Sequence, residues 1–346
     1  MGTTIQQSNV RNAMYTPLVQ RVMPQATVTT LFQPVIEQKP SSNLPFIEAN
    51  TKEVEMSHLQ DDCIIPVFSK DNEVTISHQS FIDSVTDAAY QVFPHEEITA
   101  PSIRVSHVVK GRIPEAIHKP VNQLLESDKT IYYERMMFCI EVPTIHQNID
   151  GSRLNLTIGG VRAYNEQNLY SKKSPEKFKI FIGFKNMICC NLCVSTDGYK
   201  SCIRVMDTGS LMQAAVELFR SYNIAQHLAV MTAYQDLMIG ESQFAQFIGK
   251  CRMYQYLPSS QKKQIPDLLM TDTQIGLVAK SYFDDENFGI GSDNAISLWK
   301  VYNLFTGSNK ISYIDNFLDR AQNATEVTTG LARALHGDPQ YSWFLR

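Results

Sequence analysis

The hydrophobic pattern of this chain turns helical near Asp207 and stays so, and that change limits the fold more than any other feature. Through most of the preceding hundred residues, apolar residues alternate or run in short blocks bounded by turn signals, as strands require. After it they recur every three or four residues, as amphipathic helices require. The stretch Ile103 to Val109 alternates, and Lys129 to Val142 is strongly β-prone. Asp150-Gly151 is a hairpin turn signal leading into Leu154 to Ile158. Phe178 to Val194 is apolar on both faces, which predicts a central, fully covered strand or a pair of strands. Thr196-Asp197-Gly198 then returns the chain through Cys202 to Val205.

Helices take over from there. Ser210 with Gln213 fits a capping box. Leu211, Ala215, Leu218, Tyr222, Ala225 and Leu228 mark one stripe, predicted to run unbroken to Met238. Further helices are predicted over 241–256, 272–283, 293–306, 312–322 and 325–336. Upstream, Phe81, Val85, Ala88, Ala89 and Val92 predict one helix, capped by Ser77 or Ser80 and ended before Pro94. Cys63 to Phe68 and Val74 to Ile76 read as strands, and Pro114 opens a helix through Leu125 that Pro120 interrupts. Residues 1–60, rich in Gln, Thr, Ser, Asn and Pro, read as an extended or disordered arm. The fold class is therefore α+β: a strand-rich central sheet over 61–206, then a helical region over 207–346 packing on it in one continuous core.

Length and composition exclude several classes. A chain of 346 residues with 43% hydrophobic content holds a real core. No apolar run approaches the roughly 20 residues that span a bilayer. The first residues lack the basic and apolar regions of a secretory signal, and Gln6 breaks the myristoylation pattern after Gly2. These absences imply a cytoplasmic protein with no membrane partner. An odd count of seven Cys on so long a chain implies reduced thiols.

Charge is unevenly spread. Residues 1–97 carry 5 Lys/Arg against 12 Asp/Glu (net −7), residues 98–206 carry 15 against 9 (net +6), and residues 207–346 carry 11 against 14 (net −3). A positive middle between acidic flanks points to a polyanion partner. Single-strand binders combine such a cationic surface with aromatic platforms for base stacking. The candidate nucleic-acid-binding residues are Arg104, Lys110, Arg112, Arg135, Arg153, Arg162, Lys172, Lys173, Lys185 and Tyr164.

Catalytic and metal signals are weak. Cys190-Asn191-Leu192-Cys193 is a C-x-x-C, but its spacer has neither Gly nor Pro and no second ligand pair accompanies it. These cysteines, with Cys189, read as core residues. The eight His are scattered singly. Asp284-Asp285-Glu286 reads as a solvated loop, and Phe288 to Asp293 as an N-capped loop rather than an anion cradle. No catalytic residue, cofactor or metal is expected.

Three stretches carry a family resemblance: Ile103 to Tyr133, Leu156 to Gly198 and Ser297 to Arg320. They resemble an uncharacterised family of conserved proteins from bacterial conjugative elements, plasmids and prophages, a distant relative of the phage/plasmid-like protein family. In that broader family a central C-x-N element precedes a C-terminal W-x-x-x-N-x-x-T. Here Cys189-Cys190-Asn191 stands at the first, and Trp299, Asn303 and Thr306 approximate the second. The broader family's H-D-G-S element is replaced by Gly159-Gly160-Val161-Arg162. The resemblance implies the company of DNA-handling genes on mobile DNA and attaches no reaction. The leading expectation is thus a non-enzymatic protein that binds nucleic acid, single-stranded DNA in particular, through its basic β segment. That protein is expected to act as a homo-oligomer; the alternative is a protein-interaction or anti-defence module that binds a host protein, and an enzyme comes third.

Overall fold

The computed structural model describes residues 44–63, 75–116, 118–167, 174–291 and 294–346. Its centre is a fully antiparallel sheet. Strands β1 (Thr51–Val54), β2 (Ser102–Ser106), β5 (Met136–Ile149), β6 (Ser152–Arg162) and β7 (Glu176–Asn186) lie in that order, while β3 (Val109–Arg112) and β4 (Lys129–Tyr133), between β2 and β5 in the chain, form a separate pair. Two short strands, β8 (Leu192–Cys193) and β9 (Tyr199–Val205), share the far edge of β7 end to end. The expected α+β class is the observed one.

The β5–β6 hairpin forms where the turn signal stands. Asp150 and Gly151 both take positive φ, 48° and 73°, the paired left-handed conformation of a two-residue turn whose twist matches the strands. The long β-prone run from Lys129, in contrast, is two strands. It breaks at Glu134-Arg135, so that β4 pairs with β3 outside the main sheet while β5 pairs with β2 and β6. The helix expected from Pro114 is replaced by three single turns of 3-10 helix, because Pro120 cannot donate within a longer one.

The sheet is covered on both faces. On one face Phe138, Ile140, Ile158, Phe178, Ile180, Ile182 and Phe184 meet helix α2 (His78–Val92) through Phe81, Ile82, Val85 and Ala89. The same buried cluster takes in Leu211, Ala215 and Leu218 of α3 (Thr208–Ser221). On the other face Met137, Cys139, Val161, Phe181 and Leu192 meet Ile314, Phe317, Leu318 and Ala321 of the 22-residue helix α9 (Ile314–Leu335). A strand segment whose alternate residues all face packed neighbours must be apolar, which accounts for the run Ile180 to Phe184 at the centre of β7. Close packing on β6 needs a residue without a side chain: a Cβ on Gly160 would lie 2.4 Å from the Phe81 ring.

The remaining helices are α1 (Met56–Asp61), α4 (Ile224–Ala233), α5 (Glu241–Tyr254), α6 (Ser259–Lys262), α7 (Asp272–Asp284) and α8 (Leu298–Ser308), with strands β10 (Met238–Gly240) and β11 (Ala295–Ser297) paired between them. Several boundaries differ from expectation. The stripe from Leu211 is two helices, because Asn223 accepts from the Gln226 N–H and starts α4 afresh. Asp207, not Ser210, caps α3, accepting from the Ser210 N–H. Ala295–Ser297 pairs as β11, so α8 begins at Leu298 rather than 293. The helices expected at 312–322 and 325–336 are one, α9. Residues 44–60, expected in the arm, include buried Phe46 and Ile47 and the paired strand β1. The strand expected from Cys63 to Phe68 lies, past Cys63, outside the described residues, and Thr75 and Ile76 are not in a strand.

The motif residues of the sequence meet in one buried polar junction between sheet and helices. Asn186 Nδ2 donates to Asn303 Oδ1 at 3.0 Å, and Asn191 Nδ2 donates to the Asn303 carbonyl at 3.0 Å. Asn303 Nδ2 in turn donates to the Trp299 carbonyl at 2.9 Å. Cys190 takes a left-handed φ of 58° to make this turn, and Lys310 Nζ donates to the Cys189 carbonyl. The C-x-N and W-x-x-x-N-x-x-T elements are thus two halves of a lock between the β7–β8 turn and α8. In a water-free site each lost partner leaves a desolvated group behind. Asn303→Ala is expected to lower the unfolding free energy by roughly 1–3 kcal/mol, measured by urea denaturation. Combined with Asn186→Ala the cost should fall short of the sum.

A buried histidine adds a pH dependence. His227 on α4 packs against Phe184 and its Nδ1 lies 2.6 Å from the Tyr222 hydroxyl. Burial holds its pKa down at about 4, against 6.5 when solvated, with Asp197 opposing only in part. The unfolded chain therefore binds a proton that the folded chain refuses between those values, and stability falls as pH drops through that window. The expected slope is at most about 1.4 kcal/mol per pH unit. His227→Leu should flatten the melting temperature between pH 6.5 and pH 4 relative to the parent.

Candidate functional site

The basic residues of the β segment are held by partners within the fold. Arg104 donates to the Thr51 hydroxyl at 2.9 Å and to its carbonyl at 3.0 Å, and stands 3.8 Å from Glu53. Lys110 pairs with Glu126 at 3.3 Å, and Arg112 donates to the Lys119 carbonyl at 2.7 Å. Arg135 pairs with Asp315 at 3.1 Å and Lys185 with Glu141 at 2.7 Å. Arg153 donates to Asn155 Oδ1 and to the Pro143 carbonyl. Lys172 and Lys173 lie outside the described residues.

Two of the candidates are core residues. Arg162 is 1% exposed, bonded to Glu176 and the Ile76 carbonyl, and sandwiched between the Tyr164 and Phe178 rings at 4.5 and 4.6 Å. Tyr164 is buried with it, and desolvation pushes its phenol up to about 12. Neither offers a platform to a base. The set is also dispersed: Arg153 and Arg162 sit nine residues apart on one strand, roughly 30 Å. The +6 of this segment is largely the structural complement of carboxylates, several of them far along the chain.

The cysteines follow the expected core reading in part. Cys139, Cys190 and Cys193 are buried, and Cys189 is half-buried beside Asn303. Desolvation pushes the Cys139 and Cys193 thiols well up, as apolar surroundings do. Cys202 alone among them is exposed.

The surface that does join cations without carboxylate partners to aromatics lies on α5 and α6 with Trp343 against them, where no candidate was expected. Between Ser242 and Pro266 there are four Lys/Arg and no Asp/Glu. Lys250 Nζ stands 5.2 Å from the Trp343 ring, Trp343 meets Tyr254 edge-on at 6.4 Å, and Lys262 Nζ stands 5.2 Å from Tyr254. The four side chains form one row, two rings with a cation at each end. Tyr256, 81% exposed, and Met253, 58% exposed, flank it, with Lys263 exposed beyond. Lys250, Lys262 and Lys263 have no carboxylate partner among the described residues. Arg252 is shared with Asp272 at 2.8 Å, and Tyr254 donates to Asp267 at 3.1 Å. The sequence signal was the acid-free window, hidden by the −3 average of the C-terminal region.

No helix among the described residues is long and apolar enough to cross a membrane. Comparison with curated proteins and with solved structures finds no match. The family model described as "Domain of unknown function, B. Theta Gene description (DUF3871)" matches residues 26–345, and with that span the chain belongs to this family, which has no assigned activity.

Proposed function

We propose that this protein is a binding protein for single-stranded nucleic acid, and that it engages its ligand through the α5–α6 face. The carrying observation is the row Lys250, Trp343, Tyr254, Lys262 with exposed Tyr256 beside it. Lysines without a carboxylate partner release counterions on meeting phosphates, which supplies sequence-independent affinity, although Lys262 also donates to the Gln255 carbonyl at 2.9 Å. An exposed tyrosine next to them gives a base a ring to stack on, worth about 1–3 kcal/mol per base. The carboxylates Asp267 and Asp272 at the edge of the row temper the field without closing it. The basic β segment has a supporting part in this reading, through the partly exposed Lys110, whose partner Glu126 is itself solvated. Carriage on mobile DNA, which the family resemblance implies, and the cytoplasmic setting expected from the sequence would give such binding its use.

A second reading, binding of a host protein or of another copy, is favoured by the β3–β4 excursion. Val121 and Leu125 there are 78% and 63% exposed, and Val108 is exposed close by. Apolar side chains presented on a segment outside the main sheet suit a protein partner better than a phosphate chain.

Fluorescence anisotropy with a labelled single-stranded oligonucleotide separates the readings. Binding is expected to weaken with salt at a slope set by roughly three phosphate contacts. Lys250→Glu combined with Lys262→Glu and Lys263→Glu should weaken it at least about tenfold, and Tyr256→Ala by about tenfold. Lys110→Glu with Lys185→Glu should change it far less. Absence of binding at low salt would exclude the reading, and a stoichiometric protein partner lost on Val121→Ser with Leu125→Ser would favour the second.

A further inference from the structure

A separate constellation stands at the opposite side of the sequence from that face, and it goes beyond the binding reading. Helix α1 carries His58, and the chain closes back on it: the N–H groups of Asp62 and Cys63 both donate to the His58 carbonyl, at 3.0 and 3.2 Å. That closure sets the Cys63 thiol beside the His58 ring. Glu134 reaches the same point from the break between β4 and β5. His58 Nε2 is 2.6 Å and Cys63 Sγ 3.3 Å from one Glu134 oxygen, and the three ligand atoms lie within 4.8 Å of one another. The Glu134 side chain is only 6% exposed.

We propose that His58, Cys63 and Glu134 are a site for a divalent metal of the zinc class. The donor set decides the class: one thiolate, one imidazole and one carboxylate suit a borderline-soft ion and disfavour magnesium or calcium. Tetrahedral coordination sets ligand atoms roughly 3.5 Å apart, so the three need move by about an ångström or less. The metal takes the place of the hydrogen bonds that now join Cys63 and His58 to the carboxylate.

The surroundings are those of a metal site rather than of a plain ion pair. The other ring nitrogen of His58, Nδ1, lies 3.1 Å from the Asp62 carboxylate, which orients the ring so that Nε2 faces the ion. Lys52 stands 3.3 Å from the second Glu134 oxygen, leaving the first for the metal. The charges balance: a divalent ion offsets Cys63 and Glu134 as anions, and Lys52 offsets Asp62. Behind the ligands, His78 Nε2 fixes the Glu134 carbonyl at 3.1 Å. The other His78 nitrogen and the hydroxyl of Tyr164, whose ring is 5.1 Å from His78, are buried with no partner among the described residues. Three protein ligands leave a fourth position for water or a small anion, the arrangement of reactive rather than closed structural zinc sites.

The test uses the full chain stripped with EDTA and titrated with zinc by calorimetry, then with cobalt by absorption. The expected result is about one equivalent of zinc per chain. Cobalt should give the visible bands of a tetrahedral ion and a thiolate charge-transfer band. Cys63→Ser should abolish the charge-transfer band while Cys202→Ser leaves it intact, and Glu134→Gln should weaken zinc at least tenfold. Asp62→Asn should weaken zinc by about 10- to 100-fold through the ring orientation alone. Circular dichroism of each variant separates loss of the site from loss of the fold. No zinc uptake by the folded parent, or a cobalt spectrum that Cys63→Ser leaves unchanged, overturns the assignment.

Discussion

Along β6 and β7 apolar side chains point to both sides of the sheet, from Leu154 to Val161 and from Phe178 to Phe184, so neither face of these strands tolerates water. One face requires α2 and α3, and the other requires the first half of α9. The order of the remaining helices follows from that demand, because α8 and the second half of α9 complete the same buried cluster as α2. A sheet covered twice has little free surface, so the polar groups at its margins must find partners within the fold. The Asn186–Asn191–Asn303 lock and the Arg162–Glu176 pair are such solutions.

The same constraint changes what the charge of the middle segment means. Lysines and arginines on covered strands reach carboxylates brought over them by helices. Lys179 pairs with Asp319 and Arg135 with Asp315, both on α9. A buried or half-buried pair is poor evidence for stability by itself, but it removes the cation from the set that can meet a phosphate. Lys250 on α5 and Lys262 on α6 have no such carboxylate among the described residues.

Local chemistry was legible in the sequence in several single segments, though the Asp207 cap of α3 and the Asn223 start of α4, equally local, were not read. The spacing of Phe81, Val85, Ala88 and Ala89 gave α2 with its Ser77 cap, and Asp150-Gly151 gave the β5–β6 turn. Features set by distant segments were not legible. The apolar stripe of α9 changes partner cluster between Ala321 and Ala324, which looks like a helix end when read alone. The break at Glu134-Arg135 is invisible in a run of good strand formers, yet it turns Glu134 toward His58 and Cys63, more than 70 residues away. Neither a metal spacing nor a catalytic motif is present in that separation, so the constellation exists only in three dimensions. The cation–aromatic row was hidden for a different reason: Trp343 joins Lys250 and Tyr254 from the chain's end.

If the sheet's cations serve the fold and those of α5 and α6 hold the proposed nucleic acid, photocrosslinking with a bromodeoxyuridine-containing single-stranded oligonucleotide, followed by mass spectrometry of the linked peptides, gives adducts within residues 250–263 and at Trp343, with Tyr256 prominent. Adducts concentrated between Arg104 and Lys185 would rule this division out.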